Sequence, residues 1–177
     1  MSRHYDSASR LLHWLSAVLI VSVFAAALIQ EEMPRGDART LVLALHIFVG
    51  SGFLVLVILR GGWALLRPKP VEIPMPGWMS ASSRIVHASL YALMLAVPLA
   101  GIWLYGVRGR PSALLNVTMP SLFQKNDAMR GIAGEIHELL AYALIAFALL
   151  HIGAALYHHF ILKDGILERM RGAQEKS

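Results

Sequence analysis

The sequence contains no cysteine, which excludes several kinds of site at once. Disulfides, thiolate-held iron–sulfur clusters and haem attached through a Cys-x-x-Cys-His motif all need a cysteine thiol. Charge is also scarce: 15% of the 177 residues are Asp, Glu, Lys or Arg, and 56% are hydrophobic. Soluble domains usually carry about 25% charged residues. The composition therefore predicts a small polytopic membrane protein, with one domain over residues 1–177.

The apolar residues form four segments, and each is long enough to cross a bilayer as a helix. We place these spans at about 11–29, 40–59, 85–105 and 137–162, which predicts an all-α membrane four-helix bundle. A cleaved signal peptide is the alternative for the first span, since Arg3 and Arg10 precede it. Against that alternative, His13 and Trp14 interrupt its apolar core and three more spans follow.

The connections are predicted from composition. Residues 68–76 hold four prolines and should form a stiff, extended linker. The connection over 107–134 is the longest and should contain a short surface helix within 114–123. Pro98 should kink the third span. The charged tail after Lys163 is expected to fray.

Lysine and arginine predict the orientation, because cytoplasmic loops of membrane proteins carry an excess of both. Ten of the 16 lie in the termini and the loop between the second and third spans. This places both termini in the cytoplasm. The net charge of +5 fits loops beside anionic lipid, and we do not expect nucleic-acid binding. The other six lie in the two outer loops: Arg35, Arg39, Arg108, Arg110, Lys125 and Arg130.

The fourth span has no Asp, Glu, Lys or Arg from Leu139 to Leu162, yet it carries several histidines. Burying an imidazole within a membrane costs free energy, so a histidine there is taken by default as a candidate functional residue. His137 and His151 are fourteen residues apart, so they share one helix face and lie about 21 Å apart along the axis. Two imidazoles at two depths predict two cofactors, one near each face of the membrane.

The orientation of each span then predicts which histidines pair. His46 and His137 should lie near the outer face, and His13 and His151 near the cytoplasmic face. His87 is a third candidate at the cytoplasmic end. Neutral imidazoles suit both axial positions of a haem iron. A divalent-metal transporter is the alternative, but no intramembrane acidic residue accompanies the histidines and 21 Å is too long for one ion.

The chain resembles the bacterial cytochrome b561 family over nearly its whole length. The resemblance lies in RLLHW at 10–14, LALHIFVG at 43–50, HASLYALMLAVPLAGIW at 87–103 and the run ending HHFILKDGILERM. It implies a four-helix inner-membrane protein of bacteria with two haems b. The axial ligands it implies are His13, His46, His137 and His151.

Within that family the chain resembles members that act as superoxide:ubiquinone oxidoreductases. This implies superoxide oxidation at the outer face and ubiquinone reduction near the cytoplasmic face. We expect Arg108 and Arg110 to attract superoxide. Pairing of these arginines with haem propionates or lipid phosphates is the alternative.

Quinone reduction needs groups that bind its oxygens and supply protons. His87 and His158 are the candidates beside the inner haem, and interfacial anchoring is their alternative role. A second function remains open, namely an electron-transferring anchor subunit for a partner dehydrogenase or hydrogenase. The outer loops offer little docking surface, so we expect no obligate protein partner.

Overall fold

The computed structural model describes residues 4–67, 71, 73–109, 113–114, 117–118 and 123–172. Four long helices dominate: α1 Ser7–Glu32, α2 Asp37–Leu66, α3 Gly77–Arg108 and α4 Arg130–Tyr157. A π-helical turn, His158–Leu162, continues α4, and the short helix α5 spans Glu168–Arg171. Each predicted span lies within one of the long helices, the fourth together with its π-helical turn.

The bundle presents apolar side chains outward. Each long helix is long and apolar enough to cross a membrane. Leucines such as Leu65, Leu139 and Leu11 are 88%, 70% and 67% exposed. In water such exposure would be costly, whereas lipid tails solvate these side chains, so the outer surface fits a bilayer environment.

The helices pack in chain order, α1 against α2, α2 against α3 and α3 against α4. A small core at mid-height joins three of them through Phe53, Val57, Met94 and Leu144. Val57 and Met94 are only 2% and 3% exposed. Leu19 and Ile20 of α1 pack against this core, so all four helices meet between the two ends of the bundle.

Local signals explain the helix ends. Asp6 caps α1, where its carboxylate accepts hydrogen bonds from the backbone N–H and the hydroxyl of Ser9. At the end of α3, Gly109 adopts a left-handed conformation with φ of 60°. Before α4, the side chain of Asn126 accepts from the N–H groups of Ala128 and Met129. Pro98 lies within α3, which continues through it.

Two predictions about the connections are wrong for the residues that the structure describes. The expected surface helix within 114–123 is absent from the described residues there, because Ala113–Leu114 (β1) and Val117–Thr118 (β2) pair as antiparallel strands. Residues 115–116 and 119–122 lie outside the described part of the chain. The tail does not fray over 163–172. The indole of Trp14 donates to the carbonyl of Met170 at 3.1 Å, and this bond fastens α5 to α1.

Candidate functional site

Side chains seven residues apart form a line on each of two helices. Seven residues are about two turns, or about 10.5 Å along the axis. The α2 stripe consists of Arg39, His46, Phe53 and Arg60, and the α4 stripe consists of Arg130, His137, Leu144, His151 and His158. Phe53 and Leu144 meet in the central core. The two stripes therefore place polar groups above and below an apolar centre.

One histidine pair lies above this core, at the end that the predicted orientation places outside, and we call it the outer pair. The ring centroids of His46 and His137 are 6.1 Å apart, and the ring planes are nearly perpendicular at 85°. Nδ1–H of His46 donates to the carbonyl of Val23 at 3.0 Å. Nδ1–H of His137 donates to the carbonyl of Val97, also at 3.0 Å. These bonds orient both rings and leave each Nε2 available for a ligand bond.

Gly101 on α3 makes room for the outer pair. A Cβ at this position would lie 3.0 Å from Cε1 and 3.3 Å from Nδ1 of His137. Val97, whose carbonyl holds the same ring, is one turn earlier on α3. The ring of His137 is therefore seated directly against the α3 backbone.

The inner pair lies below the core. The ring centroids of His13 and His151 are 6.2 Å apart, with an angle of 69° between the planes. A guanidinium nitrogen of Arg60 lies 3.1 Å from Nδ1 of His13. His87, the third candidate, has its ring centroid 5.1 Å from that of His151, and its Nδ1–H donates to the carbonyl of Ser83 at 2.7 Å. Three imidazoles thus gather at the inner end.

The spacing of both pairs fits a six-coordinate iron between two imidazoles. A metal–imidazole bond is about 2.0 Å and the nitrogen lies about 1 Å from the ring centre, so two opposed rings have centroids about 6 Å apart. The pairs His46–His137 and His13–His151 match this value. The 5.1 Å between His87 and His151 is shorter than two opposed bonds require. Within the described part of the chain, no three His, Asp, Glu or Cys residues form a cluster that could hold a metal ion.

A positively charged cavity of about 620 Å³ lies at the outer end. Among its described lining residues, four are arginines and one is acidic, Glu31. Arg39 and Arg130 lie two turns outward from His46 and His137, and Arg108 lies two turns outward from Gly101. The arginines are Arg35, Arg39, Arg108 and Arg130. The cavity therefore lies over the outer pair and attracts anions.

The π-helical turn shapes the opposite end. Lys163 follows it in a left-handed conformation with φ of 53°, which turns the chain back toward α4. Asp164 consequently accepts a hydrogen bond from Nδ1 of His158 at 2.5 Å. A second pair joins His159 to Glu168 at 2.8 Å. Such single-turn bulges are frequent at functional sites, and this one provides two histidine–carboxylate pairs beside the inner end.

Known proteins are similar in sequence to the chain over most of its length. A sequence model described as prokaryotic cytochrome b561 matches residues 4–173. The chain belongs to this family. Cytochrome b561 homolog 2 of Escherichia coli K12 is 29% identical over 171 residues, which cover 95% of this chain and 91% of the relative. Cytochrome b561 homolog 1 of the same organism is 30% identical over 165 residues, which cover 90% and 92%. Probable superoxide oxidase CybB of Yersinia pestis is 29% identical over 171 residues, which cover 96% and 97%.

Membership of the cytochrome b561 family defines the general function. The chain is a cytochrome b of transmembrane electron transfer, and the family implies b-type haem as the cofactor. The four apolar helices and the bacterial relatives make it a multi-pass protein of the bacterial inner membrane. The family thus agrees with the expected fold class, and imidazoles in an apolar bundle are suitable ligands for b-type haem.

The structure describes only one of the two residues that were predicted to attract anions. Arg108 lines the outer cavity, whereas Arg110 lies outside the described residues. Lys125, also in that loop, pairs with Asp127 at 3.1 Å. The prediction did not include Arg39 among the anion-attracting residues, although its position seven residues before His46 could have indicated the role.

Three other residues escaped the sequence analysis. Arg60 lies fourteen residues after His46, a spacing that would have placed it at the inner pair. Gly101 and Asp164 carry no comparable signal. Their roles depend on how α3 is rotated against α4 and on the π-helical turn, and neither feature has a periodic pattern in the sequence.

Proposed function

We propose that the chain holds one haem b between His46 and His137 and a second between His13 and His151. With both termini in the cytoplasm, the protein would oxidise superoxide at the outer face and reduce ubiquinone near the cytoplasmic face. The observation that carries this proposal is that two imidazole pairs lie one above the other in the bundle, with centroid distances of 6.1 and 6.2 Å within the pairs. No obligate protein partner is part of the proposal.

The overall reaction balances without a further reactant. Two superoxide anions, one ubiquinone and two protons give two dioxygen molecules and one ubiquinol. Bound haem supplies reversible one-electron chemistry, which allows superoxide, a one-electron donor, to reduce ubiquinone, a two-electron acceptor. Two imidazoles per site would hold each haem, and a haem held in this way would favour electron transfer over oxygen binding.

The outer cavity supports an anionic substrate. Arg39, Arg108 and Arg130 surround the approach to the outer pair, and together with Arg35 they outnumber the acidic residue Glu31 in the described lining. A concave surface of one charge sign raises the encounter rate of an opposite ion, most strongly at low ionic strength. The name of the Yersinia pestis relative, probable superoxide oxidase, agrees with superoxide as that ion.

The inner end supports quinone reduction. His87 lies against His151, and His158 lies two turns further toward the cytoplasmic end of α4. Asp164 accepts from Nδ1 of His158 at 2.5 Å, so Nε2 remains as the nitrogen that can contact a quinone oxygen. A histidine oriented by a carboxylate is suited to proton transfer. We assign His87 and His158 to the quinone site, and Asp164 positions His158.

The test is a stoichiometric assay on purified, haem-loaded protein with a soluble ubiquinone analogue. We expect one ubiquinol for every two superoxide anions consumed, and no hydrogen peroxide from superoxide beyond the amount formed in a protein-free control. Haem-depleted protein is the matched control and should be inactive. A rate that does not depend on haem loading would reject the proposal. Quinone chemistry seen only with a stoichiometric dehydrogenase or hydrogenase would favour the anchor-subunit alternative.

A further inference from the structure

Arg60 occupies on α2 the position that His151 occupies on α4. His46 and Arg60 are fourteen residues apart, as are His137 and His151, so both pairs span the same depth. Arg60 therefore lies at the level of the inner pair, and α1 instead of α2 provides the partner of His151. A charged residue at this depth of an apolar bundle needs a functional explanation.

The guanidinium of Arg60 is held by contacts on two neighbouring helices, α1 and α3. One of its nitrogens lies 3.1 Å from Nδ1 of His13. It lies over the ring of Tyr91 at 5.3 Å from the centroid and approaches Sδ of Met94 at 4.0 Å. The ion pairs seen within the described residues involve other side chains, so no carboxylate there offsets this charge. A fixed positive charge thus sits against a ligand of the inner pair.

The outer pair has the opposite surroundings. Nδ1–H of His46 and of His137 donates to a backbone carbonyl, of Val23 and Val97 respectively. Such bonds make an imidazole a stronger electron donor to its metal, which stabilises the oxidised iron. At the inner pair, a neutral His13 that holds iron through Nε2 carries its proton on Nδ1, so Arg60 beside it acts through its positive charge, which stabilises the iron that has gained an electron.

We propose that Arg60 raises the reduction potential of the inner haem above that of the outer haem and so directs electrons inward. Arg60 is a tuning residue, since it acts through its charge beside His13. The inference rests on the two proposed haem sites. It does not depend on superoxide or ubiquinone as the reactants.

Potentiometric titration of the holoprotein tests this proposal. We expect two midpoints in the unmodified protein. Arg60→Gln should lower the higher midpoint and leave the lower one in place, with at least a tenfold fall in the equilibrium constant for outer-to-inner transfer, or about 59 mV for one electron. Arg60→Lys keeps the charge and should restore most of the shift. Arg67→Gln is the matched control and should change neither midpoint. Arg67 follows the end of α2, seven residues after Arg60, and its guanidinium lies over the ring of Trp63 at 4.3 Å from the centroid.

Unchanged midpoints in Arg60→Gln, or equal shifts in the Gln and Lys variants, would overturn the proposal. A second variant decides the question if Arg60→Gln loses the inner haem. His46→Ala removes an outer ligand, and the remaining haem should titrate at the higher midpoint. A remaining haem that titrates at the lower midpoint also overturns the proposal. Protein that shows two haems but no superoxide activity would contradict the proposed reaction and leave this inference standing.

Discussion

Gly101→Ala is the substitution whose effect on the outer site follows most directly from the geometry. The added methyl group would lie 3.0 Å from Cε1 and 3.3 Å from Nδ1 of His137, where ordinary contacts begin at 3.4 Å. The ring must therefore move away from α3 by a few tenths of an ångström. It cannot do so freely, because Nδ1–H is bonded at 3.0 Å to the carbonyl of Val97 on the same helix.

The expected cost follows from these two contacts. Overpacking typically costs about 1–3 kcal/mol, and a weakened hydrogen bond costs about 0.5–1.5 kcal/mol. Because moving the ring relieves the first cost at the expense of the second, we expect about 1–3 kcal/mol in total. If this appears as weaker haem binding at the outer site, the affinity falls roughly 5- to 150-fold. The inner site, about 21 Å away along α4, should be unaffected.

Haem transfer to an excess of a haem-binding apoprotein provides the assay. In the Gly101→Ala variant one haem per chain should leave faster than in the unmodified protein, and the second should leave at the unmodified rate. Gly153→Ala is the matched control, since Gly153 lies exposed on α4 and a methyl group added there would have nothing within 4 Å. Equal transfer from the Gly101→Ala and Gly153→Ala variants would refute the seating of His137 against α3.

Three further predictions concern the ends of the bundle. Arg130→Ala should lower the rate of superoxide consumption a few-fold at low salt and flatten its dependence on ionic strength, and an unchanged slope would remove Arg130 from the attracting surface. Asp164→Asn should slow ubiquinol formation about tenfold or more, with little change in the rate at which superoxide reduces the haems. Stopped-flow spectra separate the two steps, and equal slowing of both would contradict the role of Asp164 beside His158. Asp6→Ala should destabilise the protein by about 0.5 kcal/mol, because α1 loses its cap. The hydrogen bonds from Ser9 lower the pKa of Asp6 from 3.8 to about 2, so the carboxylate stabilises the fold fully above about pH 4 and loses this effect as the pH falls toward 2. Unfolding curves of the two proteins that stay equally far apart at about pH 2 would contradict this assignment.

The number of helices and the depth of their histidines could be predicted because both follow from simple geometry. An apolar segment of about 20 residues is stable in a bilayer as a membrane-spanning helix. Fourteen residues of α-helix always rise by about 21 Å. Depth alone paired His46 with His137 and left His13 and His87 as candidates beside His151, and the structure places these rings side by side at each end.

Lateral arrangement could not be predicted in the same way. Whether Gly101 faces His137 depends on the rotation of α3 about its own axis, and each helix is apolar on too many sides to fix that rotation. The contact between His158 and Asp164 depends on one π-helical turn and one left-handed residue, Lys163. The prediction of a fraying tail failed over residues 164–172 for the same reason, since the docking of this segment requires Trp14 of another helix.

The ratio of haem b to polypeptide tests the central proposal most directly. It can be measured from the pyridine haemochrome spectrum of protein purified after expression with ample haem. Two histidine pairs with the spacing of axial ligands predict a ratio of two. A ratio of one would contradict the two-site arrangement, and colourless protein would contradict haem binding altogether.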